Sequence, residues 1–150
     1  MSFKDGGIVH AGLIARRLGG YWRGVLIEGP AGAGKSDLAL RALSEGFRLV
    51  ADDRVALWVS GGALYGRAPA TLSGLIEARG LGIEAVSPLP MARVALVARA
   101  GTPERLPDPA FCDILGLRVP LMILQLRESS APAKLRHALS RFDANLNRRI

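Results

Sequence analysis

The sequence holds one cysteine, three lysines and few aromatic rings, and each scarcity excludes something. With Cys112 alone no intrachain disulfide can form, so a reducing, cytoplasmic setting is expected. Aromatic residues make up 5% of the 150 positions and are scattered along the chain. Without stacking rings or a motif helix, nucleic acid is not an expected partner, despite a formal charge of +7. No apolar run approaches the roughly 18 residues needed to cross a bilayer. Met1 to His10 carries Lys4 and Asp5 without an apolar core behind them, unlike a signal peptide. No membrane partner is expected.

What is present is globular. The chain is 49% hydrophobic and 22% charged, and its length suits one domain, 1–150. Seventeen of the 20 basic residues are arginines, whose planar fork suits phosphate and carboxylate partners. A high-GC genome that writes Arg for Lys accounts for the same bias.

Strand-like apolar runs recur at Ile8 to Ala15, Gly24 to Glu28, Arg48 to Ala51, Val55 to Val59, Ala92 to Ala98 and Val119 to Leu126. Gly61-Gly62 reads as a hairpin turn. One helix is predicted from Lys35 to Glu45, stopping at Gly46. A second, over about 131–147, starts at Ala131-Pro132 and carries Leu135, Leu139, Phe142 and Leu146 as one apolar stripe. Arg136, His137 and Arg141 fall off that stripe and read as a solvated face. A short helical turn is expected at Thr71 to Glu77, and Ala100 to Asp113 reads as a proline-rich surface connection. Helices among strands that include a hairpin predict a mixed α/β domain.

The most specific motif is Gly29-Pro30-Ala31-Gly32-Ala33-Gly34-Lys35-Ser36, which satisfies G-x-x-x-x-G-K-[ST] between an apolar strand and a helix. Glycines let successive N–H groups converge on an anion, and the helix N-terminus adds positive potential there. Lys35 can reach outer phosphates, and the Ser36 hydroxyl can bind Mg²⁺. A nucleoside triphosphate site is expected.

Leu49-Val50-Ala51-Asp52-Asp53 is a short strand ending in two acids. Side chains alternate along a strand, so Asp52 and Asp53 should face opposite ways unless the chain turns, leaving at most one on the reacting centre. Glu77-Ala78-Arg79-Gly80-Leu81-Gly82 places an acid, an arginine and two glycines in one loop that could approach phosphate.

Together these segments resemble the catalytic domain of HPr kinase/phosphorylase, in the family's order. His10 comes first, then GPAGAGKSDLAL, RLVADD and IEARGLG, then ERL around Arg105 and ILGLRVPL, over about residues 8–125. The resemblance implies a mixed-sheet P-loop fold similar to the nucleotide core of phosphoenolpyruvate carboxykinase. It implies ATP at Gly29 to Ser36, Mg²⁺ held by Ser36 and Glu77, and Asp53 as the acceptor of the serine proton. His10, Lys35 and Arg105 match other catalytic positions, while Asp52, Arg79, Gly80 and Gly82 lie in the flanking motifs. The implied reaction is phosphorylation of a serine on an HPr-like phosphocarrier, by a homo-oligomer, typically a hexamer.

Four departures stand out. The chain begins almost at the catalytic domain, as in short members without the N-terminal regulatory domain. Arg16 to Arg23 looks like an inserted hairpin that lengthens the run from His10 to Gly29. Ala31 replaces a hydroxyl residue. The family's dephosphorylation stretch gives way to Gln125-Leu126-Arg127-Glu128-Ser129-Ser130, which leaves phosphorylase activity open. The alternatives are a nucleotide-sensing module without turnover and a small-molecule kinase.

Overall fold

The computed structural model describes the backbone of residues 6–147 and side chains as far as Phe142; the Leu146 side chain lies outside the described residues. Eleven strands and two α-helices are present among them. The strands are β1 Gly6–His10, β2 Gly12–Leu18, β3 Tyr21–Glu28, β4 Phe47–Ala51, β5 Arg54–Ser60, β6 Ala63–Arg67, β7 Leu75–Ala78, β8 Gly82–Ala85, β9 Ala92–Ala100, β10 Ala110–Ile114 and β11 Leu117–Leu124. Helix α1 spans Lys35–Ala42 and α2 spans Ala131–Asn147.

The expected Ile8-to-Ala15 strand is two strands, β1 and β2, broken at Ala11. A matching break at Asp52-Asp53 separates β4 from β5. β1 pairs with β5 and β2 with β4, both antiparallel, and the Ala11 N–H donates to the Asp53 carbonyl at 3.1 Å between the two ladders. Since the strand order runs β1-β5-β6-β9-β3-β2-β4, these long runs close the sheet on itself. The sheet is mixed, because β3 and β11 lie parallel to β9.

Closure gives the sheet an inside and an outside. Inside, Leu13, Leu26, Val50, Val55, Leu57, Leu64, Val94 and Val97 form one apolar cluster. Outside, Ile14, Val25, Ile27, Leu49, Leu96 and Ala98 pack against Leu38, Ala39, Ala42, Leu135 and Leu139 of the helices. Alternation along each strand divides the two sets. The Leu135–Leu139 stripe of α2 is buried as its spacing predicts, with Phe142 packed against the same cluster. Off the stripe, His137 and Arg141 are exposed and Arg136 is half-buried.

The Gly61-Gly62 hairpin is present, with φ of 56° and 75°, the mirror-image turn that matches strand twist. Two expectations are corrected. The run from Thr71 to Glu77 is not a helical turn; a single 3-10 turn at Ala70–Leu72 precedes a separate β7–β8 hairpin that carries Glu77. Ala110–Ile114 is a strand paired with β11 rather than part of a surface connection. Arg16 to Arg23 form the expected hairpin, as the paired ends of β2 and β3. No helix among the described residues is long and apolar enough to cross a membrane.

Candidate active site

The buried strand β3 ends at Glu28, and the chain turns through 29–34 into α1. Gly34 caps the helix at φ 103°, a conformation that favours glycine, and no side chain caps the first turn. The helix's first amides therefore face the loop unclaimed by a cap, as an anion site requires. Lys35 is 8% exposed, and its Nζ donates to the carbonyls of Gly29 at 2.6 Å and Pro30 at 3.1 Å. Arg127 donates to the carbonyl of Gly32 and lies over Gly34. Arg41 of α1, paired with Asp37, donates to the carbonyls of Leu126 and Glu128, which ties the 125–130 turn to the helix.

Asp52 and Asp53 part at the end of β4, each to its own partner. Asp52 is 8% exposed; its Oδ1 accepts from the Ser36 hydroxyl at 2.7 Å and its Oδ2 from the Glu77 amide at 3.1 Å. Asp53 has φ 70°, which for a residue other than glycine marks local strain of the kind concentrated at functional sites. That turn carries its carboxylate to His10, with Nε2 2.6 Å from Oδ1, and Arg54 stands 3.9 Å from Oδ2.

The structure thus joins Ser36, Asp52 and the backbone of Glu77 through hydrogen bonds, ties Lys35 to the carbonyls of its own loop, and brings His10 to Asp53 at the neighbouring residue. The Glu77 side chain is exposed on β7, Arg79 and Gly80 lie in the turn of that hairpin, and Gly82 opens β8. Arg105 is not brought in. It stands on the exposed 101–109 connection and makes no hydrogen bond or ion pair among the described residues. The role of Asp52 as the carboxylate on Ser36 was not visible in the sequence, because alternation says nothing of which acid points inward.

The Ser36 hydroxyl and the Asp52 carboxylate are two hard oxygen donors, Glu77 meets Asp52 through its backbone amide, and no cluster of three or more His, Cys, Asp or Glu side chains stands ready for a metal among the described residues. Magnesium is bound through one or two carboxylates plus substrate phosphates, so these residues fit it. A groove of about 1020 Å³ lies elsewhere, between β10–β11, the start of β9 and α2, and none of these site residues lines it.

A closed mixed sheet with a glycine-rich loop running from strand into helix defines a P-loop α/β domain. The family described as HPr serine kinase C-terminal domain matches residues 10–89, and the chain belongs to that family. It is 48% identical over 69 residues to the HPr kinase/phosphorylase of Clostridium kluyveri, covering 46% of this chain and 22% of that protein. With the HPr kinase/phosphorylase of Levilactobacillus brevis it shares 50% identity over 64 residues, 42% of this chain and 21% of the other. The matched segment therefore spans about a fifth of the length of these relatives. Among solved structures, the Hpr(Ser) kinase/phosphatase from Coxiella burnetii superposes with a TM-score of 0.78 at 25% identity, covering 94% of this chain and 99% of that one.

Proposed function

We propose that this chain is a single catalytic domain, with its core over about 8–125 and a C-terminal helix over about 131–147. It uses ATP and Mg²⁺ to phosphorylate a serine on an HPr-like phosphocarrier protein. The observation that carries this reading is the divergence of the two adjacent acids, Asp52 onto the phosphate-loop serine and Asp53 onto His10. A phosphoryl transferase needs both roles, one at the metal and one at the incoming hydroxyl.

In this reading the amides of 29–36 and Lys35 hold the phosphates. Ser36, Asp52 and Glu77 hold Mg²⁺, which supplies charge neutralisation on the phosphoryl oxygens. The Asp53 carboxylate accepts the proton of the serine hydroxyl as its oxygen bonds to the terminal phosphorus; the bridging oxygen–phosphorus bond breaks and ADP leaves. His10 holds the Asp53 carboxylate at the angle that the left-handed turn sets. Arg79, Gly80 and Gly82 bring the β7–β8 turn close to the phosphates, and Arg105 enters through the resemblance alone. A cytoplasmic homo-oligomer, hexameric as the resemblance implies, completes the proposal.

The test is incubation with γ-labelled ATP and a purified HPr-like carrier, followed by mass spectrometry of the carrier. Phosphoserine on the carrier is the expected result. Nucleotide binding without any carrier labelling would replace the kinase with a sensing module, and labelled metabolites with unlabelled carrier would indicate a small-molecule kinase. Replacing ATP by inorganic phosphate and offering the phosphorylated carrier tests the reverse reaction.

A further inference from the structure

The two Trp and two Tyr residues stand toward one end of the closed sheet, Tyr21 and Trp22 at the start of β3 and Trp58 and Tyr65 on the paired strands β5 and β6. Trp58 and Tyr65 stack at 5.8 Å, and Arg67 lies over Trp58 at 5.6 Å. Arg48 lies over Trp22, and Arg23 over Tyr21.

Pairing register orders the outer surface here. His10 opposes Arg54; Ile8 opposes Ala56, which opposes Arg67; Gly6 opposes Trp58, then Tyr65, then Arg93. Directly opposed residues share a face, so these are three successive rows on one side of the sheet. The helices pack over β2, β4 and β9, leaving the outer side of β1, β5 and β6 open. Arg54, Arg67, Arg93 and Ile8 are exposed there. The rows hold no Asp or Glu. At two residues per row, they advance about 7 Å at a time from the His10–Arg54 end. A strip with charge of one sign therefore begins at the residues beside Asp53 and runs about 14 Å away from them.

We propose that this strip is the docking surface for the protein substrate, and that its occupant is an acidic face of the carrier adjoining the acceptor serine. The proposal rests on the kinase reading above. Charge complementarity selects the partner: Arg54, Arg67 and Arg93 on an open face call for carboxylates, and exposed charges of this kind steer encounter and orientation. A single-stranded nucleic acid is disfavoured because the rings face one another and a guanidinium, rather than standing free to receive bases.

The experiment measures binding of purified HPr-like carrier to full-length protein carrying Trp22→Phe, by Trp58 fluorescence, without nucleotide, at low and high salt. Arg67→Glu with Arg93→Glu should weaken binding at least about tenfold, and the paired Gln variants by about threefold, with the salt dependence flattened. In turnover, KM for the carrier should rise by similar factors while kcat and KM for ATP hold. Unchanged carrier affinity in both double variants, or no carrier binding by the parent protein, overturns the proposal. So does competition by an oligothymidylate in place of the carrier, or Trp58 emission that follows self-association in sedimentation. Loss of phosphate transfer with docking intact would instead defeat the kinase reading alone.

Discussion

His10 Nε2 lies 2.6 Å from Asp53 Oδ1, and Asp53 reaches it from a backbone held at φ 70°. His10 precedes the break at Ala11 and Asp53 lies in the facing break at Asp52-Asp53, the two interruptions of one long antiparallel ladder. Local strain and a close polar contact at the same residue would hold in place the carboxylate proposed as the proton acceptor.

Asp53→Asn keeps the size of the side chain and tolerates the left-handed turn, but removes the proposed base. Phosphate transfer should fall by at least about a hundredfold with nucleotide affinity within about twofold. Paired kinase and equilibrium-binding assays check this, and joint loss of both would mean Asp53 belongs to nucleotide binding instead.

Asp52→Ala should act differently. It strands the Ser36 hydroxyl and the Glu77 amide at a site that is 8% exposed. Unfolding free energy should drop by about 1–3 kcal/mol, read from urea titration, and the Mg²⁺ concentration for half-maximal activity should rise. A variant as stable and as Mg²⁺-responsive as the parent would refute the assignment.

Gly24→Ala tests how closely the sheet packs at its centre. A Cβ there would sit 2.6 Å from the backbone oxygen of Arg93 and 3.2 Å from the Leu13 side chain. Backbone cannot yield as a side chain does, so a loss of about 1–3 kcal/mol is expected, measured by thermal melting. Gly19→Ala, whose Cβ would meet nothing within 4 Å, is the control for space, though its φ of 58° adds a separate strain.

The Cys112 thiol should be inert at neutral pH. Burial is the main cause that pushes its pKa above the ordinary thiol value, with Glu28 and Asp113 adding to the effect and Arg99 opposing it. A raised pKa favours the protonated form, so alkylation by iodoacetamide should be slow at pH 7 and should accelerate only in strongly alkaline buffer. Rapid labelling at pH 7 would show the thiol ionised.

Leu135→Ala should loosen the C-terminal helix. Leu135 is fully buried against the outer cluster, and removing it should cost about 2–5 kcal/mol in a denaturant melt.

Local features were the ones legible in sequence. The strand, glycine-rich turn and helix of 25–45 follow from contiguous residues, as do the α2 stripe and the Gly61-Gly62 hairpin. Glu77 was misplaced because a four-residue strand between Gly74 and Gly80 offers too few positions to tell period two from period three and a half. The turn at Asp53 was allowed for but not its direction, which depends on tertiary contacts with His10. The gathering of Tyr21, Trp22, Trp58 and Tyr65 depends on the register between β3, β5, β6 and β9, which no short window of sequence contains.

The hydrogen bond from Ala11 to Asp53 is the stitch at which the cylinder of strands is sewn shut. Its two ends come from chain segments that must find each other across the whole P-loop and α1, a slow kind of encounter. Recovery of transfer after dilution from denaturant would report on the fastening of that seam. A chain that stalls before it would present the nucleotide loop without its acceptor pair.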